Sequence, residues 1–113
     1  GDRALSVFSK IVRTLIRDVD FVGRLGGDEF LILLPETEAH HAYHVVERIY
    51  QVLDASPIFF KGDHFKIAIS SGIASLNDWT DSLENLLSRA DAALYEAKAN
   101  GGLKIATSTE IPD

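Results

Sequence analysis

The chain has 113 residues, 46% hydrophobic and 25% charged, enough for one domain around a single core and inconsistent with a wholly disordered segment. Its net charge of -6 repels a phosphate backbone and argues against non-specific nucleic-acid binding, and the lack of cysteine excludes disulfides, thiolate metal centres and a cysteine nucleophile. The same lack of cysteine permits an intracellular setting, with cytoplasm the default expectation; no apolar run approaches the roughly 20 residues of a membrane helix, and no charged-then-apolar signal segment opens the chain.

Apolar residues at Leu5, Phe8, Val12, Leu15 and Val19 alternate steps of three and four, which predicts an amphipathic first helix. The segments DFVGRL and EFLILLP flank Gly26-Gly27, a pair suited to the positive φ of a tight turn, and predict a β-hairpin closed by Pro35. Ala42, Val45, Ile49 and Val52 mark a second helix that Pro57 ends. IFFKGDHFKIAISSGIASL predicts a second hairpin joined at Gly62-Asp63, its second run long enough to cross a sheet. Leu83, Leu86, Leu87, Ala90, Leu94 and Ala97 predict a third helix ended by Asn100-Gly101-Gly102, after which LKIA adds a short edge strand and TSTEIPD a loose tail. Hairpins separated by helices give an α+β fold, helices packed on a mostly antiparallel sheet. A helix that begins at residue 2 and needs a sheet face to cover leads to the expectation of a preceding strand.

The chemistry concentrates at Gly26-Gly27-Asp28-Glu29. Glycines let a backbone approach a ligand and aim turn amides at phosphate oxygens. Asp28 and Glu29 at the exposed end offer hard oxygens for Mg²⁺ beside a triphosphate, and one of them could help deprotonate a hydroxyl. Taken alone, the same four residues also describe a hairpin with a solvated acidic tip.

Context decides between these readings, because Arg24-Leu25-Gly26-Gly27-Asp28-Glu29-Phe30 closely resembles the signature of the GGDEF family of diguanylate cyclases. ISSGIA (Ile69 to Ala74) resembles that family's central strand, and SRADAALYEAKANGG (Ser88 to Gly102) its last helix and following loop, so the resemblance covers almost the whole chain. It implies a nucleotidyl-cyclase, palm-like (ferredoxin-like) α+β fold. It also implies an activity in which two domains, each holding one GTP with Mg²⁺ or Mn²⁺, meet as a homodimer to make cyclic di-GMP and two pyrophosphates. By the same resemblance Asp28 is the metal ligand and candidate base, Glu29 supports metal and phosphates, and the amides of Gly26 and Gly27 lie near the triphosphate. Asp2 matches a guanine-reading position and Lys98 a phosphate contact. Read alone, Asp2 is a helix-start acid favoured by the dipole and Lys98 a solvated surface lysine.

Arg17 and Asp20, in RDVD, resemble the family's RxxD inhibitory site, with Arg48 matching an arginine that joins it. A guanidinium can fork onto phosphate or the Hoogsteen edge of guanine while a carboxylate accepts from guanine nitrogens; the plain alternative is a local ion pair. His40, His41 and His44 read as a solvated helix start, since no third zinc ligand is evident, and Trp79 as a packing or cap residue. Gly102 stands where many relatives carry a phosphate-binding arginine, a role Lys104 could take. The family's first strand, with an acidic metal ligand, and the loop after it, with a guanine-reading asparagine, have no counterpart here. The expectation is therefore a single GGDEF domain over 1–113 without that front part.

The readings in competition are a cyclase, a silent module that binds cyclic di-GMP or GTP to regulate an attached sensory or regulatory domain, and a ligand-free dimerising scaffold.

Overall fold

A computed structural model describes residues 2–76, 81–101 and 105–108, which form three helices and six strands. They fall into two compact units, Gly1–Thr37 with Glu47–Ala68, and Glu38–Val46 with Ile69–Asp113.

In the first unit, helix α1 (Asp2–Leu15) places Phe8 and Val12 in the core, as its periodicity requires. Val19 does not extend the stripe: it lies past the helix end and is 65% exposed. The reason is local, since the Asp20 carboxylate accepts the Arg17 backbone N–H at 2.7 Å and Asp20 N–H donates to Arg17 O at 3.0 Å, closing a turn in place of further helix. Strands β1 (Phe21–Gly26) and β2 (Glu29–Leu33) pair antiparallel, with a register irregularity between Arg24 and Gly26. Gly26 pairs with Glu29, so the two-residue connection is Gly27-Asp28, one position later than the glycine pair expected from sequence. Phe30 returns towards the core, its ring 4.8 Å from that of Phe8, which seats the hairpin on α1.

Helix α2 (Ala39–Asp54) begins in the second unit and ends in the first, where Ile49 and Leu53 are almost fully buried. Leu53, rather than Val52, completes the apolar face. Strands β3 (Ile58–Phe60) and β4 (Asp63–Phe65) form a short antiparallel hairpin. Its connection is Lys61-Gly62, both at positive φ (51° and 84°), not Gly62-Asp63. Two positive values, as in a type I′ turn, match the twist of the flanking strands, whereas two negative ones would splay them. The long second strand is also corrected: pairing stops at Phe65, and residues 66–70 are not strand.

The second unit contains β5 (Ser71–Ile73), α3 (Leu83–Ala99) and β6 (Ile105–Thr107). β5 and β6 pair in parallel, Gly72 opposite Ala106, and α3 supplies the crossover that a parallel pair needs. Of the edge strand expected at LKIA, Ile105 and Ala106 lie in β6 while Leu103 and Lys104 lie outside the described residues, and Ser108 N–H extends the pairing by donating to Ile73 O at 2.7 Å. Ser82 caps α3 by accepting from Asn85 N–H at 3.0 Å, and Arg89 on the helix pairs with Asp81 beside that cap at 2.5 Å. The buried face of α3 is Ala93 and Ala97. Leu83, expected on the stripe, is 56% exposed. Gly72 runs directly beneath the helix at Ala90 and Leu94: a Cβ on it would overlap Ala90 O and Leu94 N and stand 2.8 Å from Leu94 Cα.

The α+β class holds, with β structure divided into two antiparallel pairs and one parallel pair. No helix among the described residues is long and apolar enough to cross a membrane.

Candidate functional site

The glycine turn is fixed from its own strand. Arg24 on β1 reaches past the irregular position at Leu25 and donates from Nε to Gly27 O at 2.7 Å. Gly26 and Gly27 take φ of 156° and 52°, values that a residue with a Cβ rarely adopts, so the turn depends on both glycines. Asp28 and Glu29 project from it exposed, and neither side chain makes a hydrogen bond or ion pair with the described residues. Two unpaired carboxylates on a braced turn are a free set of hard oxygen acceptors.

Beside the hairpin, a cleft of about 410 Å³ is lined by Ser6, Ser9 and Arg13 of α1 and Gly23 and Arg24 of β1. Asp28 and Glu29 are not part of its wall. The polar spacing of Ser6, Ser9 and Arg13 reads in sequence as a solvated helix face, and nothing short of the fold shows that it borders a cleft.

Arg17 and Asp20 are brought together as a bidentate pair. The guanidinium donates from Nη2 to Asp20 Oδ1 at 2.7 Å and from Nε to both carboxylate oxygens at 3.1 and 3.2 Å. Nη2 also donates to Pro35 O at 2.7 Å and Thr37 Oγ1 at 3.0 Å, which ties the α1–β1 connection to the segment after β2. Pro35 and Thr37 were not legible as partners, one because it contributes a backbone carbonyl and the other because a threonine in a loop carries no pattern. The Asp20 side chain is only 3% exposed, and both of its oxygens accept from Arg17. In this arrangement it orients the arginine rather than presenting a carboxylate to guanine. Nη1 of Arg17 makes no hydrogen bond with the described residues, and its side chain is 54% exposed.

The side-chain bond from Arg17 holds the Asp20 carboxyl below the ordinary carboxylate range, against an opposing effect of burial. A lowered folded value contributes stability that is present above the unfolded value of about 3.9 and is lost as pH falls through the folded one. Asp20→Asn therefore lowers the melting temperature at neutral pH, and the gap to wild type closes as the pH drops below about 4. Thermal melts across that range check this, and a gap independent of pH would contradict it.

Arg48 is exposed on α2 in the first unit and forms no hydrogen bond or ion pair with the described residues, so its place beside Arg17 is not seen. Lys98 is exposed in the last turn of α3, in the second unit. Asp2 opens α1, but its side chain lies outside the described residues, as do Trp79, Gly102 and Lys104.

The family model described as diguanylate cyclase, GGDEF domain, matches residues 1–104. Diguanylate cyclase A of Treponema denticola is 36% identical over 108 residues, which are 96% of this chain and 29% of that protein. The active GGEEF domain of a diguanylate cyclase from Vibrio cholerae is similar with a TM-score of 0.84 at 32% identity, covering 97% of this chain and 69% of that one. A microbial GGDEF domain whose structure describes a novel interaction mode with cyclic di-GMP is similar with a TM-score of 0.76 at 25% identity, over 94% of this chain and 61% of that one. The chain thus spans less than a third of the length of the Treponema relative.

Proposed function

The chain belongs to the GGDEF domain family of diguanylate cyclases, and from that membership we propose that, in the intact protein, it condenses two GTP into cyclic di-GMP with release of two pyrophosphates. The observation that carries the reading is the braced turn, with Asp28 and Glu29 exposed and unpaired at its tip.

In each half-reaction a GTP 3′-oxygen bonds to the α-phosphorus of the other GTP, the bond from that phosphorus to the bridging oxygen of pyrophosphate breaks, and the hydroxyl proton is taken up by a base. Asp28 is assigned as that base and as a metal ligand, and Glu29 as its partner at the metal and phosphates. Their oxygens suit Mg²⁺ or Mn²⁺, since Mg²⁺ is commonly held by one or two carboxylates with water and phosphate oxygens completing the shell. When bound, such an ion neutralises phosphate charge and favours the alkoxide form of the attacking group. The amides of Gly26 and Gly27 are assigned to the triphosphate, where backbone N–H groups stabilise charge without reorganising. Lys98 adds positive charge for the phosphates and Asp2 accepts from guanine N1 and N2.

Because each active site holds only one of the two reacting nucleotides, catalysis needs a pair of domains, and we assign a homodimer as the active state. The length of the relatives, well beyond that of this chain, supports an attached sensory or regulatory domain. Product inhibition is assigned to Arg17, held by Asp20 with Nη1 left for an anion, and joined by Arg48.

Calorimetric titration of the intact protein with 3′-deoxy-GTP and Mg²⁺, which binds without the attacking hydroxyl, tests the reading. Saturable binding that is lost when Asp28 and Glu29 become Asn and Gln is the expected result, and an intact protein that takes up no nucleotide overturns it. For the inhibitory site, Arg17→Ala weakens cyclic di-GMP binding by about 10- to 100-fold, the loss expected for charge-assisted hydrogen bonds. Unaltered affinity in the same calorimeter would remove Arg17 from the site.

A further inference from the structure

We propose that Glu38, His40 and His41, at the start of α2, form a binding site for a divalent transition-metal ion of the zinc class. Their ligand atoms, one carboxylate oxygen and one imidazole nitrogen from each histidine, lie within 4.8 Å of one another. Glu38 Oε2 is 3.3 Å from His40 Nδ1, and the two imidazole rings stand with centroids 4.0 Å apart. Around a tetrahedral zinc with bonds of about 2.0–2.1 Å, ligand atoms are separated by about 3.3 Å, so this set closes on an ion through small side-chain rotations.

The sequence shows two histidines of this set but not the third ligand. Glu38 precedes the helix, with its carbonyl accepting the Ala42 N–H at 3.0 Å. Its backbone is thereby held at the first turn, within side-chain reach of His40 and His41. His40 and His44, one helical turn apart, are the pair that spacing alone suggests. The His44 ring instead meets the edge of Tyr43, at a centroid distance of 6.4 Å, and His44 is not a member of the three-residue group.

Two imidazoles and one carboxylate favour zinc, nickel or copper over magnesium, which prefers an all-oxygen shell. The site is therefore chemically distinct from Asp28 and Glu29. The His40 and Glu38 side chains are 62% and 75% exposed, which leaves access for the ion and for water in the fourth position. Binding would clamp the residue before α2 onto its first turn, which has no acidic residue of its own.

Titration of the chain with ZnCl₂ in excess Mg²⁺, followed by calorimetry and by the histidine side-chain NMR signals, tests the proposal. One equivalent binds, the signals of His40 and His41 shift, H40Q and H41Q each lose at least about tenfold in affinity, and E38Q weakens binding as well. H44Q retains the wild-type affinity. All four residues are at the surface, so the variants keep the fold, which circular dichroism verifies. Absence of zinc binding, binding that persists in the H40Q/H41Q double variant, or binding that follows His44 instead of His41 overturns the assignment.

Discussion

Asp28→Ala reduces cyclic di-GMP synthesis by the intact protein about a thousandfold or more, with the fold unchanged. The size follows from the role proposed: loss of a group that holds the metal and receives a proton removes stabilisation made in the transition state, and a thousandfold corresponds to about 4 kcal/mol. The fold is spared because Asp28 is exposed and makes no bond with the described residues, while the turn is held by Arg24 and the two glycines. Unfolding free energy should therefore shift by no more than about 0.5 kcal/mol, as at ordinary surface positions. Asp28→Asn is equally inactive, since it keeps the shape and loses the charge. Asp28→Glu retains activity, since it keeps a carboxylate with the same hard oxygens and charge. Chromatographic quantitation of product from GTP checks all three, and wild-type turnover by Asp28→Ala would remove the residue from the mechanism.

Gly72→Ala has the largest effect on stability. The added methyl would meet backbone atoms of α3 rather than the tip of a side chain, with Leu94 Cα at 2.8 Å, so it can be accommodated only by lifting the helix from β5. Overpacking that cannot be relieved by a rotamer change costs about 3 kcal/mol, a large part of the roughly 5–15 kcal/mol that stabilises a domain. Urea denaturation shows the loss as a lowered midpoint, and a variant within about 1 kcal/mol of wild type would mean that β5 and α3 are not in such close contact.

The two positions differ in how far sequence discloses them. Asp28 stands in an unaltered motif, and its role follows from residue type and order. Gly72 is an ordinary glycine in an apolar run, and its importance depends on a helix that arrives ten and more residues later. The same division runs through the fold. Phe8, Val12 and the two strands around the glycine turn were legible because helical and strand periods are repeated several times in each. The parallel pairing of β5 with β6 was not, because three-residue strands carry too little pattern and the partner follows an intervening helix. Hydrogen bonds to backbone carbonyls, such as Arg17 to Pro35 and Arg24 to Gly27, leave no trace in residue type, and Glu38 becomes a candidate ligand only once the turn into α2 is built. Val19 misled for the opposite reason, since its spacing continued a helix that the Arg17–Asp20 turn had already ended.

The central claim is chemical, and the most direct test is product analysis of the intact protein incubated with GTP and Mg²⁺. The account predicts cyclic di-GMP with two pyrophosphates released for each molecule formed. A protein that binds 3′-deoxy-GTP or cyclic di-GMP but leaves GTP unchanged would contradict it and would identify the domain as a nucleotide-binding module.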